Sequence, residues 1–427
     1  MALKVWQGRA LAVAQISTVT IGGTPASGNT VWVEINRRRV TYTVPATPTV
    51  NSVAAGLYAL IQALATGGTA PEFAEITWTD PAGSSAVITA TSATAGQPFT
   101  MTVGQTGGGA SITLATPTAA TGPNHADNAA NWDSNSVPTT GDDVTVPAGT
   151  PDILYGLDAL NDQMGTVRLL GGRIGLPDRS GTSPDDPGSY FQYRTKRFAL
   201  ESATAVYVGD GTTAPEFLRL EITGSTATPI RVMNGEGTAD ADAIQISAAA
   251  GTSHSVTVNG NRVALAPSSG EVIELSSLRV GTQGPDDSFG ANDIDPVVRI
   301  GSGVTIAAAR LYGGTVTSDG TFTAITVIDG EWNQDGGTPG TVSITDSAGT
   351  YRYTGNASHG AVTARGEGAV VDFTGDSRAF SLANSSVTEG AAIYNPQRAN
   401  CTALTIDKES VAVSELGNSL SVALTAA

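Results

Sequence analysis

Positive charge is scarce. The chain of 427 residues has three lysines, Lys4, Lys196 and Lys408, and a formal net charge of -17. A nucleic-acid binder carries a basic stripe, and the one cluster here is Arg37-Arg38-Arg39, inside an alternating strand. That run reads as a solvated strand end or hairpin turn, or as a local contact to an acidic neighbour. Cysteine is nearly missing. Cys401 stands alone, so a disulfide framework is excluded, and it reads as a small buried hydrophobe. No apolar run reaches the roughly 18 residues that span a bilayer. The opening Met1–Ile21 is interrupted by Gln7, Arg9, Gln15, Ser17 and Thr18, and reads as folded structure rather than a signal peptide. Gly-x-Ser-x-Gly elbows and Gly-Lys-Thr or Gly-Lys-Ser phosphate loops are absent. Neither nucleic acid nor membrane is expected as a partner.

What is present is β-branched sequence cut by turn residues. From Gly165 to the C-terminus, short segments such as Thr166–Leu170, Ala205–Val208, Val297–Ile300 and Val304–Ile306 recur between Gly, Asn, Asp and Ser. They come too often and too briefly for an open sheet with crossovers. A chain winding in coils, each stacking its strands on the last, fits them. Coils of about 20–25 residues would give ten to twelve of them. At roughly 4.8 Å per stacked strand the rod would be about 50 Å long. Unequal loops explain the missing strict period. Tandem β-sandwich modules are the alternative.

The first 116 residues read as a separate α+β unit. Val31–Asn36 and Val40–Val44 flank the arginines as a hairpin. Thr49–Ala65 is the one good helix, with Val53, Leu57, Leu60, Ile61 and Leu64 on one face, Thr49 or Ser52 as cap and Gly67-Gly68 as stop. Four strands are expected at 75–79, 86–91, 99–103 and 111–115. Residues 117–130 read as a linker by composition. The remainder, 131–427, is expected to be the solenoid, with an entry cap over 131–164.

Two stretches carry a resemblance. Asn131-Trp132-Asp133, a polar loop, Val137-Pro138, Gly141-Asp142-Asp143-Val144 and a strand resemble the opening turn of β-solenoid surface proteins. Trp132 would then cover the open end of the stack, with Gly141 and Asp142 turning into the first strand. Trp6-Gln7-Gly8, Val13-Ala14-Gln15, Thr18-Val19-Thr20, the hairpin, the helix, Pro71–Thr77 and Gly96–Phe99 together resemble a small module of phage and prophage structural proteins. That resemblance covers about the first quarter of the chain and implies a virion component: a capsid decoration protein, head fibre or tail fibre. It implies virion proteins as partners, a homotrimer by analogy, and assembly in the host cytoplasm. A host surface glycan is a further expected partner.

Candidate site residues are few. Asp286, Asp287, Asn292, Asp293 and Asp295 offer oxygen ligands, but the spacing fails the EF-hand loop. They read as a solvated loop tip, with calcium or another loop ligand as the alternative. Glu331 with Asp335, or Asp372 with Asp376, could set a carboxylate pair beside Trp332 as glycosidases do. Their Gly, Asn and Asp context describes turns instead. His125, His254 and His359 read as surface or loop histidines. Trp6, Trp32 and Arg37, Arg38 and Arg39 are candidate docking residues, Trp6 foremost. No catalytic, metal or cofactor residue is assigned. The leading expectation is a non-enzymatic virion protein; a tailspike-like depolymerase and a cell-surface adhesin are the alternatives.

Overall fold

A computed structural model describes residues 2–35, 38–67, 70–80, 85–160, 163–170, 173–174, 198–210, 212–233, 244–260, 262–282, 295–345, 348–373, 380–396, 399–401 and 403–413. The chain is mainly β, and its larger part is a solenoid of parallel strands. Strands two apart in chain order pair with each other, so two ladders run side by side. The first ladder starts at Leu3–Val5 and Asp143–Val146 and ends at Leu404–Ile406. It holds thirteen strands among the described residues, which at about 4.8 Å each span about 60 Å. The second runs from Arg173–Ile174 and Phe217–Ile222 to Val411–Val413.

Alternation along each strand fills the interior. One inward column reads Val146, Leu169, Val208, Val232, Val258, Val280, Leu311, Val327, Ile344, Ala364, Val387 and Ile406, each register partner of the next. All twelve are buried. A slip of one residue would turn a strand's apolar set outward, so this column fixes the register. The buried cluster is continuous from Trp6 to Ile406. Separate sandwiches, which are antiparallel and have separate cores, are not what the chain forms. Coil length varies: 16 residues from Ala309 to Ile325 and 31 from Leu278 to Ala309. Loops of unequal size therefore erase any sequence period.

The domain boundaries differ from the sequence expectation. Leu3–Val5 pairs in parallel with Asp143–Val146, so the first rung of the solenoid comes from the N-terminus. The α+β unit is an insertion after that rung, over residues 16–118. Its strands form two antiparallel sheets. One has the order Ile76–Thr79, Val87–Ser92, Ile16–Gly23, Ala110–Thr118; the other Arg38–Thr43, Thr30–Ile35, Met101–Thr106. Helix Val50–Thr66 packs Val53, Ala54, Leu57 and Ile61 inward. Thr49 Oγ1 accepts from Ser52 N at 3.1 Å while Ser52 Oγ accepts from Thr49 N at 2.9 Å, a reciprocal cap. Leu60, expected on the inner face, is 40% exposed.

The expected linker is a structured neck. Val13 and Thr121 exchange backbone hydrogen bonds, at 2.7 Å from Val13 N and 3.3 Å from Thr121 N. Asn131 is fully buried; its amide donates to Gly122 O and His125 O and accepts from Ala10 N. Asparagine and glycine read as loop by composition, yet here the Asn131 side-chain amide and the Gly122 carbonyl close the neck's backbone bonds.

Candidate functional site

A cleft lies where the coils turn from one ladder to the other. Two long strands, Val304–Ser318 and Thr321–Gln334, run through both ladders and bend at Gly313-Gly314 and Gly330. Gly314 and Gly330 have φ of +88° and +85°, and the backbone of the neighbouring coil occupies the place of a Cβ. Only glycine fits such a bend. Outside it is a cleft of about 320 Å³ lined by Asp295, Thr315, Asp329, Glu331 and Thr350 with backbone from the glycines. Asp295 and Glu331, far apart in sequence and in different candidate groups, share this cleft. Asp286, Asp287 and Asp293 lie outside the described residues. Among those described, no three His, Cys, Asp or Glu side chains are placed to hold a metal ion.

Arg352 dominates the chemistry beside the cleft. Its Nη1 donates to Glu331 Oε1 at 2.8 Å and its Nε to Asp372 Oδ2 at 3.0 Å. Nη1 also reaches Asn333 Oδ1 at 3.3 Å. The bond to Asp372 is the largest of the influences that hold this guanidinium above its ordinary pKa. Glycoside hydrolysis needs one carboxyl group kept protonated as an acid. Glu331 and Asp372 instead both face a permanent cation. Asp335 accepts from Thr354 Oγ1 at 2.8 Å, and Asp376 lies outside the described residues. Trp332, a sugar platform only in the glycosidase alternative, is fully buried, its Nε1 donating to Gln334 Oε1 at 3.0 Å. Strand alternation turns it inward between half-buried neighbours.

The three histidines are buried, contrary to the surface expectation: His125 at 4%, His254 at 0% and His359 at 4% exposure. Each found a backbone partner. His125 Nε2 donates to Gly96 O at 2.8 Å, and its bond to Asp127 is the main cause that lowers that carboxyl. His254 Nδ1 accepts from Thr228 N at 3.1 Å, so the proton sits on Nε2, which has no partner among the described residues. His359 Nδ1 donates to Gly360 O at 2.8 Å, leaving Nε2 to accept from Tyr351 Oη at 2.7 Å. Burial lowers His254 and takes His359 down to about 4; it pushes the Tyr351 hydroxyl well up. Burial thus favours the neutral forms of His254, His359 and Tyr351.

The remaining candidates have mixed fates. Trp6, the foremost docking candidate, is fully buried in the solenoid, because it directly follows the Leu3–Val5 rung and its N donates to Thr145 O at 2.9 Å. Trp132 packs against it at the N-terminal end of the stack, ring centroids 5.2 Å apart. Asp133 receives Val5 N on its carboxylate and donates its own N to Val5 O, each at 3.0 Å, which blocks the outer edge of the first rung. Asp142 accepts from Ala2 N at 3.0 Å, the main cause that lowers its carboxyl. Trp32 is half-buried under the Arg39 guanidinium, 3.8 Å from its ring centre. Arg39 also pairs with Glu34 at 2.8 Å, and Arg38 with the fully buried Glu72 at 3.2 Å. The acidic-neighbour reading describes both; Arg37 lies outside the described residues. Cys401 is half-buried against the core, its thiol 2.9 Å from Ala403 O.

Sequence reasoning missed Arg352. It stands 21 residues after Glu331 and 20 before Asp372, and only the coil register aligns the three. Compared with known proteins, the chain matches no family model, no curated protein and no solved structure.

Proposed function

We propose that the protein is a non-enzymatic structural component of a phage-like particle, a decoration protein, head fibre or tail fibre. The solenoid is its rigid shaft and the inserted α+β unit its anchor. The observation that carries this reading is the continuous inward column from Val146 to Ile406. Parallel stacking of that kind gives stiffness without disulfides, and its outer faces are free for attachment. The acidic surface opposes unspecific association between particles. Virion proteins are the expected partners, with three copies assembled about one axis. Immunogold labelling of purified particles tests this: label on intact particles supports it, and label only on cell envelopes favours the adhesin reading.

A second reading has one observation behind it. Asp295, Asp329 and Glu331 meet in one cleft, as a carboxylate pair in a depolymerase would. Incubating the protein with capsule or lipopolysaccharide and sizing the products decides. Chain shortening that Glu331→Gln abolishes supports the enzyme; intact polymer supports the shaft.

A further inference from the structure

The register places one outward column along the first ladder, alternating with the buried one. It reads Arg168, Tyr207, Arg231, Thr257, Arg279, Arg310, each the neighbour of the next across a rung. It continues through Thr326, Ser343, Thr363 and Ser386 to Thr405. The column therefore carries guanidinium groups and hydroxyls over eleven rungs, about 50 Å, and no carboxylate. In a protein with 39 acidic residues and a net charge of -17, that is a local reversal of sign.

Arg168, Arg231 and Arg310 are exposed, and no carboxylate pairs with them among the described residues. Beside the track the residues are small: Ser255 next to Ser277, then Ala308 next to Ala324 and Thr341. Of the carboxylates near this face, Asp143 accepts from Thr166 N at 2.6 Å and Glu274 from Gly251 N at 2.8 Å.

We infer that this track binds a linear carboxylated polysaccharide lying along the solenoid. Guanidinium forks take carboxylates in paired hydrogen bonds, and the threonine and serine hydroxyls suit sugar hydroxyls. Arg168 and Arg231 stand two rungs apart and Arg310 three further, about 10 Å and about 14 Å, a spacing for an extended chain with charge at intervals. Nucleic acid fits less well. Single strands need open aromatic faces for their bases, and here Arg168 lies over Tyr207 at 4.6 Å and Arg279 over Tyr312 at 4.9 Å. The inference rests on the solenoid being an attachment surface and needs no particle around it.

Retention of the full chain on immobilised polygalacturonate tests it, with dextran and oligo(dT) as comparison probes and circular dichroism to verify folding. Binding to polygalacturonate at about 50 mM salt is expected, weakening at about 300 mM as screening lengths shorten. Arg231→Ala combined with Arg310→Ala weakens it at least about tenfold. Arg262→Ala, an exposed arginine of the other ladder, leaves it unchanged. Retention no greater than on dextran, equal binding by the double variant, or tighter binding of oligo(dT) overturns the inference. So does a track that serves only self-association, seen as a double variant whose oligomeric state changes while polygalacturonate retention does not. Failure here leaves the particle labelling result untouched, so the two readings fail separately.

Discussion

Trp6 and Trp132 meet edge to face at 70°, their indole N–H groups donating to Pro151 O and Ala126 O at 2.8 Å each. The whole α+β unit lies between them in sequence. The pair closes the start of the solenoid over the inward column, and each polar edge is satisfied as buried indoles require. Trp6→Ala should cost about 3–5 kcal/mol through the cavity it leaves. Trp132→Ala should cost a similar amount, and the double variant less than the sum. Urea unfolding followed by circular dichroism measures this; strictly additive costs would show that the two rings do not act together.

Acid sensitivity follows from the buried histidines. His359 falls to about 4 from its ordinary value of 6.5, and His254 is lowered too, burial being the first cause for each. The folded state resists protonation that the unfolded chain accepts. Stability is therefore full above pH 6.5 and is lost as pH falls toward and through 4, by about 3 kcal/mol for His359. Thermal melts from pH 8 to 4 should show a level upper limb and a falling acid limb. His359→Gln, which keeps a hydrogen-bonding side chain, should flatten that limb; an unchanged limb would remove His359 from the explanation.

Arg352 is expected to contribute modestly. Its side chain is 41% exposed, as is Glu331 at 38%, while Asp372 is 13% exposed. Solvent screens such a group, so Arg352→Ala should cost about 1 kcal/mol. A double-mutant cycle with Asp372→Ala measures the coupling, which should shrink at high salt. Coupling of several kcal/mol, insensitive to salt, would contradict this weak-pair reading.

The bend at Gly330 is more demanding. Its φ is +85°, and an added Cβ would meet Gly314 O of the coil before. Gly330→Ala should cost about 1–3 kcal/mol or more, from strain and the displaced backbone together. Melting temperature reads this directly; an unaltered melt would show that the corner relaxes freely.

Much of the architecture was legible in the sequence because two-residue alternation survives local noise. The helix and its Thr49–Ser52 cap, the hairpin around the arginines and the β-branched rungs all follow from spacing. The insertion was not legible. Leu3–Val5 is too short to announce that its partner is Asp143–Val146, and long-range register has no local signature. Residues 117–130 read as linker because bonds such as those from the Asn131 amide to Gly122 O and His125 O depend on the fold around them. The same holds for Arg352 and for the arginine column: unequal coil lengths hide from the sequence what the ladder lines up.

Electron cryomicroscopy of purified particles carrying this chain bears most directly on the shaft reading. A stiff rod of rungs about 4.8 Å apart, projecting from the particle with the α+β unit at its foot, is the expected density. Particles without that rod, or rods attached by their far end with the α+β unit outermost, would contradict it.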